Sequence, residues 1–423
     1  MRPQFLPFLK YFLELRSQQR KSPESVRQAG QGLLERALGW AKDTKYYSGR
    51  MEGMPLRDIT EDLSLLPPTP KEDVQANPGA FLRVGAVPDA LLALKTSGTT
   101  GTPLELMVDQ DALNHRVALK YAVETGFGLS PFDLFAEISH KAPEPHPLIS
   151  RTGLFRRAAL SVFDDERKNF AEIRRLRPRV LGWYPSAITV LAMLNARQGR
   201  PLRLKSVFCG SEMLSDNARA FISESFSCPV FNHYGAVEFA AIAWECPEEH
   251  SLHVNSTSCR VEIVDSKGKP KKSGTGDILI TGLRNSAMPL IRYRIGDRGS
   301  WGRECGCGRG LPVLKTLEGR ANDVLVLPSG KLRNPVSIDI MYGIPGIRAY
   351  QIVQEREDHF VFNYVPDGAG MPESSEKEVR ERVARACLGE RVRVEFCPLE
   401  SIARGGSGKM RTVISKVKPA WRT

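Results

Sequence analysis

Residues 94–104 read LKTSGTTGTPL, and this stretch decides the fold. A short apolar run (Leu91, Leu92, Ala93, Leu94) leads into a turn rich in hydroxyls and glycine, closed by Pro103. Ser97, Thr99 and Thr100 offer O–H donors. Gly98 and Gly101 admit backbone conformations that bring N–H groups close to an anion. Such a loop suits a polyphosphate. It is not a Walker A loop, because no Lys-Ser/Thr follows the second glycine at the required spacing.

Three further segments follow in order: FNHYGAVEFA (231–240), PLIRYRIGD (289–297) and GSGKMRTVIS (406–415). With the loop, they resemble the adenylate-forming (acyl-CoA synthetase, or ANL) superfamily. The nearest branch is that of phenylacetate–CoA ligases and capsule-biosynthesis ligases. The resemblance runs from about residue 12 almost to the C-terminus. It implies an α/β protein: a large N-terminal α/β adenylation domain with a β-rich subdomain (1–320), and a small C-terminal α/β lid domain (321–423). It implies ATP-dependent activation of a carboxylic acid, an aryl acid by this branch, to an acyl adenylate. Transfer to coenzyme A as a thioester would follow.

The resemblance also implies roles for particular residues. Ser97, Gly98, Thr99, Thr100 and Gly101 would cradle the β- and γ-phosphates. Gly210, Ser211 and Glu212 match the segment that contacts adenine. Tyr234, followed by Gly235, would pack on the adenine ring, and Glu238 would help hold Mg2+, a hard cation that favours oxygen ligands. Asp297 would accept hydrogen bonds from the ribose hydroxyls. Arg320 would contact the nucleotide near the hinge. Lys409, in a glycine-rich context, would offset charge at the α-phosphate during AMP transfer.

Departures from the pattern are local. Leu104 stands where a lysine often follows the loop's proline. Val237 lacks the hydroxyl common at its position. Asn322 replaces the first Asp of a Gly-Arg-x-Asp-Asp hinge, with Asp323 at the second.

Composition agrees with a globular protein of two or three domains. The chain has 423 residues, 41% hydrophobic and 26% charged. No apolar run approaches the ~18 residues of a membrane span. The opening MRPQFLPFLKYFLELR lacks the pattern of a signal peptide, so the expected location is the cytoplasm. Net charge is +12, from 60 basic and 48 acidic residues. The basic residues are scattered, without a basic tail or an RNA-binding motif. This favours small polyanions such as ATP and coenzyme A over nucleic acid.

Periodicity places helices over residues 5–15 and 26–41, the second started by Ser22-Pro23-Glu24. A β-α-β alternation runs through strands at 180–184, 206–209 and 229–231, with helices between them. Strands dominate from about 252: 261–264, 277–281 and 324–327. The last unit reads as two strands around 355–358, a helix over 376–386 and a strand over 392–396. Trp183, Tyr184, Ala236 and Ala240 flank the motifs and are candidates for the acid pocket.

Eight cysteines in so long a chain do not make a disulfide scaffold. Cys209, Cys228, Cys259, Cys387 and Cys397 sit in apolar or strand-like contexts and are expected to be buried. Cys246, His250, Cys305 and Cys307 form a separate set. Three cysteines and one histidine make a closed tetrahedral zinc site, structural rather than catalytic. His253 is the alternative fourth ligand.

Two other functions remain open on sequence. The acyl group could pass to an amine or a carrier-protein thiol. Alternatively, the chain could be a zinc-containing nucleic-acid-binding protein.

Overall fold

The computed structural model describes residues 1–95, 104–139, 153–320, 325–333, 344–368, 370–403 and 410–417, without the side chains at 316–320 and 332–333. Ser97, Gly98, Thr99, Thr100, Gly101, Asn322, Asp323 and Lys409 therefore lie outside the described residues, as does the side chain of Arg320.

The chain opens with helices α1 (Phe5–Gln18) and α2 (Pro23–Lys42). Both follow the 3.6-residue apolar spacing. Ser22 caps α2 by accepting the Ser25 N–H, with Pro23 in the first turn. Strands β1 (Leu92–Lys95) and β2 (Glu105–Val108) pair antiparallel on either side of the glycine-rich stretch. Leu104 is fully buried, so a hydrophobic residue at that position fills core. Helix α3 (Gln110–Gly126) is capped by Asp109, which accepts the Ala112 N–H. Phe8 of α1 meets Tyr121 of α3 edge-on at 5.5 Å between centroids, and the Tyr11 hydroxyl donates to Asp111 at 2.7 Å.

Next come β3 (Phe135–Ser139), β4 (Arg157–Ser161), α4 (Glu166–Leu176), β5 (Val180–Trp183), α5 (Pro185–Ala196), β6 (Ser206–Gly210), α6 (Asp216–Phe226) and β7 (Val230–Ala236). An antiparallel run follows: β8 (Ala240–Glu245), β9 (Leu252–Val254), β10 (Cys259–Val264), β11 (Gly276–Gly282), β12 (Tyr293–Trp301) and β13 (Val313–Arg320). Then come β14 (Leu325–Val326), β15 (Leu332–Arg333), β16 (Ile347–Arg356), β17 (His359–Pro366), α7 (Glu373–Ala386), β18 (Arg393–Pro398) and β19 (Val413–Ser415).

The chain divides into two compact units. The first comprises residues 1–131, 146–154 and 233–320. Its strands run in the order β10-β11-β12-β13-β9-β8-β7, the last contributing residues from His233 onward. Its core joins Leu34, Leu38, Met51, Phe81, Ile242, Ile278, Ile280 and Tyr293. The second comprises residues 132–145, 155–232 and 321–423. It holds the parallel strands β6-β5-β3-β4, of which β6, β5 and β3 are buried on both faces while the edge strand β4 is mostly half-buried. It also holds a four-stranded sheet, β18-β17-β16-β19, with its own core of Ile352, Phe360, Phe362, Val379 and Val383.

Two expectations change. Strand β7 does not stop at Phe231 but continues through Ala236, because His233, Tyr234, Gly235 and Ala236 pair with β8. The turn falls after Ala236, so Tyr234 projects from a strand. Cys397 is half-buried rather than buried, while Cys209, Cys228, Cys259 and Cys387 are buried. Among the described residues, no helix is long and apolar enough to cross a membrane.

Candidate active site and metal centre

In the first unit, the motif residues Tyr234 and Asp297 meet. The Tyr234 hydroxyl donates to Asp297 Oδ2 at 2.8 Å. Burial, and then the Asp297 charge, push the phenol's pKa well above its usual value, so it stays a donor at physiological pH. Asp297 sits in β12 directly opposite Arg320 of β13. The fold thus brings three of the expected nucleotide residues together, two of them on neighbouring strands.

Gly235 is needed where β7 bends against β8. A Cβ there would lie 2.5 Å from the Ala240 carbonyl oxygen and 2.9 Å from the His233 ring. No side chain fits that approach. His233 itself is pushed down to about 4 by burial and the Lys120 charge, which leaves it neutral near pH 7.

Glu238 is buried, and its Oε1 accepts the Tyr293 hydroxyl at 2.9 Å. Lys71 Nζ lies 3.8 Å from the same oxygen. Arg116 donates to the carbonyls of Val237 and Glu238, at 2.6 and 3.3 Å. Burial lowers the Arg116 pKa to about 10, with Glu238 opposing the shift, so the group remains cationic. The Glu238 carboxylate is therefore anchored through one oxygen. Oε2 is the oxygen it can offer a hard cation.

Lys71, Arg116 and Tyr293 were missed by sequence reading. Tyr293 lies inside PLIRYRIGD, where the alternation Ile291, Tyr293, Ile295 was its only signal. Lys71 and Arg116 lie in helices with no motif around them.

Arg292 explains much of that motif. It is 1% exposed, and its guanidinium meets the Glu262 carboxylate at 3.0 Å. It also donates to the carbonyls of Leu66 and Gly268. The Tyr47 hydroxyl and Thr69 bind the neighbouring Ile291 backbone. These bonds fix the start of β12, and with it Tyr293 and Asp297.

In the second unit, Gly210 ends β6, and Ser211 follows with φ of 68°. The adjacent strand β5 ends on Trp183, with φ of 116°. Left-handed backbone at bulky residues is costly and concentrates where function holds it. Glu212 accepts the Ser186 N–H at 3.0 Å and the Met410 N–H at 2.8 Å. Of the candidate pocket residues, Tyr184 is 1% exposed and belongs to the core, while Trp183 packs at its margin.

The cysteine set closes around His253 rather than the expected His250. One ligand atom each from Cys246, His253, Cys305 and Cys307 lies within 4.8 Å of all the others. Cys246 and Cys305 Sγ are 3.7 Å apart, and Cys307 Sγ is 3.3 Å from His253 Nε2. A tetrahedral ion with N/S ligands sets these spacings at roughly 3.8 and 3.5 Å. His250 Nδ1 instead lies 2.7 Å from Glu245 Oε1, and its side chain is mostly exposed. The strand-like place of His253 is what makes it fit: β9 pairs with β13 and β8, which carries it to Cys246 at the end of β8. Arg309 Nη1 lies 3.7 Å from Cys246 Sγ, and the Glu248 N–H lies 3.4 Å from it. Such contacts offset thiolate charge.

A family profile described as AMP-binding enzyme matches residues 67–288, more than half of the chain. A second, described as the CapK C-terminal domain, matches residues 327–416. A phenylacetate-coenzyme A ligase of Thermus thermophilus is 28% identical over 273 residues, 57% of this chain and 61% of the relative. Protein CapK of Staphylococcus aureus is 22% identical over 308 residues, 67% of this chain and 65% of the relative. The chain thus spans less than two-thirds of the length of either relative. A crystal structure of 2-hydroxyisobutyryl-CoA ligase, in the postadenylation state with R3-HIB-AMP, gives a TM-score of 0.77. Identity there is 20%, covering 94% of this chain and 91% of that one, and the likeness is one of fold.

Proposed function

Because the chain belongs to the AMP-binding enzyme family, we propose that it is an AMP-forming acid–CoA ligase, acting on a small, aryl carboxylic acid. ATP and the acid form an acyl adenylate with release of pyrophosphate. The coenzyme A thiol then displaces AMP. The observation that carries this reading is the Tyr234–Asp297 hydrogen bond beside the Asp297–Arg320 pairing. It joins motifs far apart in sequence into one surface suited to a ribose and an aromatic base.

In this reading, Ser97, Gly98, Thr99, Thr100 and Gly101 hold the terminal phosphates, and Gly210 and Ser211 border the adenine. Asp297 takes the ribose hydroxyls, and Arg320 neutralises nucleotide charge. Lys409 stabilises charge at the α-phosphate during AMP transfer. Glu238 fits a magnesium ligand, being an anchored carboxylate with one oxygen to offer. Bound Mg2+ supplies charge compensation between two anionic reactants. Cys246, His253, Cys305 and Cys307 fit a structural zinc, since four protein ligands leave no open position. Residues 1–320 and 321–423 act as adenylation domain and lid.

Product mass spectrometry with and without coenzyme A tests the reading. An acyl-CoA that appears only with coenzyme A supports it. An acyl amide or an acylated carrier protein in its place, with coenzyme A ignored, would reassign the acceptor.

A further inference from the structure

Helix α1, in the first unit, carries apolar residues on two opposite faces. Phe8, Tyr11, Leu15 and Gln18 are buried, and this face packs on α3. The opposite face holds Leu6, Leu9 and Leu13, spaced three and four residues apart and so in one row. Leu6 is 75% exposed, Leu9 37% and Leu13 58%. Single exposed leucines are ordinary on a protein surface, but a row of them along one helix marks an interaction face.

The same spacing continues into arginines. Arg16 lies three residues beyond Leu13, and Arg20 four beyond Arg16, just past the helix end. From Leu6 to Arg16 the stripe covers about 15 Å. Lys10 is exposed beside it, and the one acid of the helix, Glu14, is taken by Arg284 at 2.6 Å. At the arginine end lies a cavity of about 190 Å³, with room for a phosphate group. Arg16, Arg20 and Arg309 line it, with Gln19 and Thr125. Glu248 pairs with Arg309 at 3.0 Å, and Arg16 donates to Gln19 at 3.1 Å. Among the described residues, neither Arg16 nor Arg20 has a carboxylate partner. Burial, and then the charges of Arg20 and Arg309, lower the Arg16 pKa, as for cations gathered without an anion between them.

Guanidinium groups match phosphate oxygens, and an apolar row needs hydrocarbon. An anionic bilayer presents both along one line, phosphates at the edge of an apolar layer. A second copy of the chain would instead set Lys10, Arg16 and Arg20 against their own kind. A peptide would have to bring both an acidic group and a groove for the leucines. We propose that the outer face of α1 docks on an anionic lipid bilayer, with Leu6, Leu9 and Leu13 entering its apolar boundary while Arg16, Arg20 and Arg309 hold a phosphate head group. This docking does not depend on the ligase reading.

The test is co-sedimentation of the full chain with vesicles of phosphatidylcholine alone and of phosphatidylcholine mixed equally with phosphatidylglycerol. Binding to the mixed vesicles is expected to be at least about 10-fold tighter, and to weaken as salt rises. Leu6→Ala/Leu13→Ala should weaken it by about 10-fold or more, since that apolar surface no longer leaves water. Arg16→Gln/Arg20→Gln should weaken it by about five-fold per arginine removed. Thermal melts of the leucine variant should match the unmodified protein, because both side chains are exposed. If Arg16→Gln/Arg20→Gln does not fold, Arg20→Gln alone, at an exposed side chain, decides.

No vesicle binding, equal binding to both kinds of vesicle, or binding untouched by Leu6→Ala/Leu13→Ala would overturn the proposal. Binding to poly-glutamate as tight as to mixed vesicles would assign the face to an acidic protein. Self-association that Leu6→Ala/Leu13→Ala abolishes would assign it to a second copy. Release from the vesicles by inorganic phosphate, beyond what chloride of equal ionic strength achieves, would reduce the cavity to a site for free phosphate.

Discussion

Asp297 and Glu238 are both buried or half-buried acids in the first unit, yet their surroundings prepare them for different failures. Asp297 is held by the Tyr234 hydroxyl and faces Arg320 across the sheet. Losing hydrogen bonds to a charged acceptor costs about 1.5–3 kcal/mol each, so Asp297→Ala should raise KM for ATP by about 10- to 100-fold. Its kcat should change less. Glu238 is buried and anchored through Oε1 by Tyr293, near Lys71. Glu238→Ala should instead lower kcat at saturating ATP, with partial recovery at high Mg2+, because the lost group is the proposed metal ligand. Initial rates with ATP and magnesium varied independently separate the two. A pair of variants with unaltered ATP dependence and unaltered turnover would remove the nucleotide from this surface. Both acids were legible in the sequence because each sits in a compact motif. Lys71 and Arg116 were not, since their partners lie far along the chain and only the folded sheet brings them together.

At the scale of elements, two constructions set the site. The first is the cysteine–histidine clip of Cys246 just after β8, His253 within β9, and Cys305 and Cys307 in the loop between β12 and β13. That three cysteines and a nearby histidine form one group was readable in the sequence. The identity of that histidine was not, because it depends on the register that pairs Val313 with His253 and Leu314 with Leu252. The purified protein should hold about one zinc per chain, and Cys305→Ser should lose both zinc and stability, since metal binding couples to folding. Elemental analysis beside a thermal melt checks this. His253→Ala should do the same and His250→Ala should not. Full zinc in a protein lacking all three cysteines would exclude the site.

The second construction is the Arg292 knot, which ties the 65–70 connector to β12. Arg292→Ala leaves the half-buried Glu262 without its partner and frees two carbonyls. A loss of about 3–5 kcal/mol in urea unfolding is expected. A change under about 1 kcal/mol would show that the knot contributes little. The motif had been read for its terminal aspartate alone. Its arginine shapes the strand that presents that aspartate.

Across the whole molecule, the order of elements was largely visible in the sequence. The 3.6-residue pattern marked α1, α2 and α7. Short apolar runs marked β5 and β6, whose burial on both faces leaves no polar alternation to dilute the signal. Boundaries were weaker. Strand β7 ran longer than expected because its pairing with β8, rather than local composition, decides where it ends. The two compact units are each assembled from separate stretches of chain, which no local pattern announces. The family assignment stands on residues 67–288. The chemistry proposed for it stands on whether ATP and an acid react here without coenzyme A.

The most direct measurement is therefore acid-dependent exchange of radiolabelled pyrophosphate into ATP, with magnesium present and coenzyme A absent, over aryl, fatty and amino acids. The account predicts exchange with at least one acid, strongest among aryl acids, and its loss by ~10²-fold or more in Lys409→Ala. Exchange that proceeds equally without any acid, or no exchange across the panel from a folded protein, would contradict it.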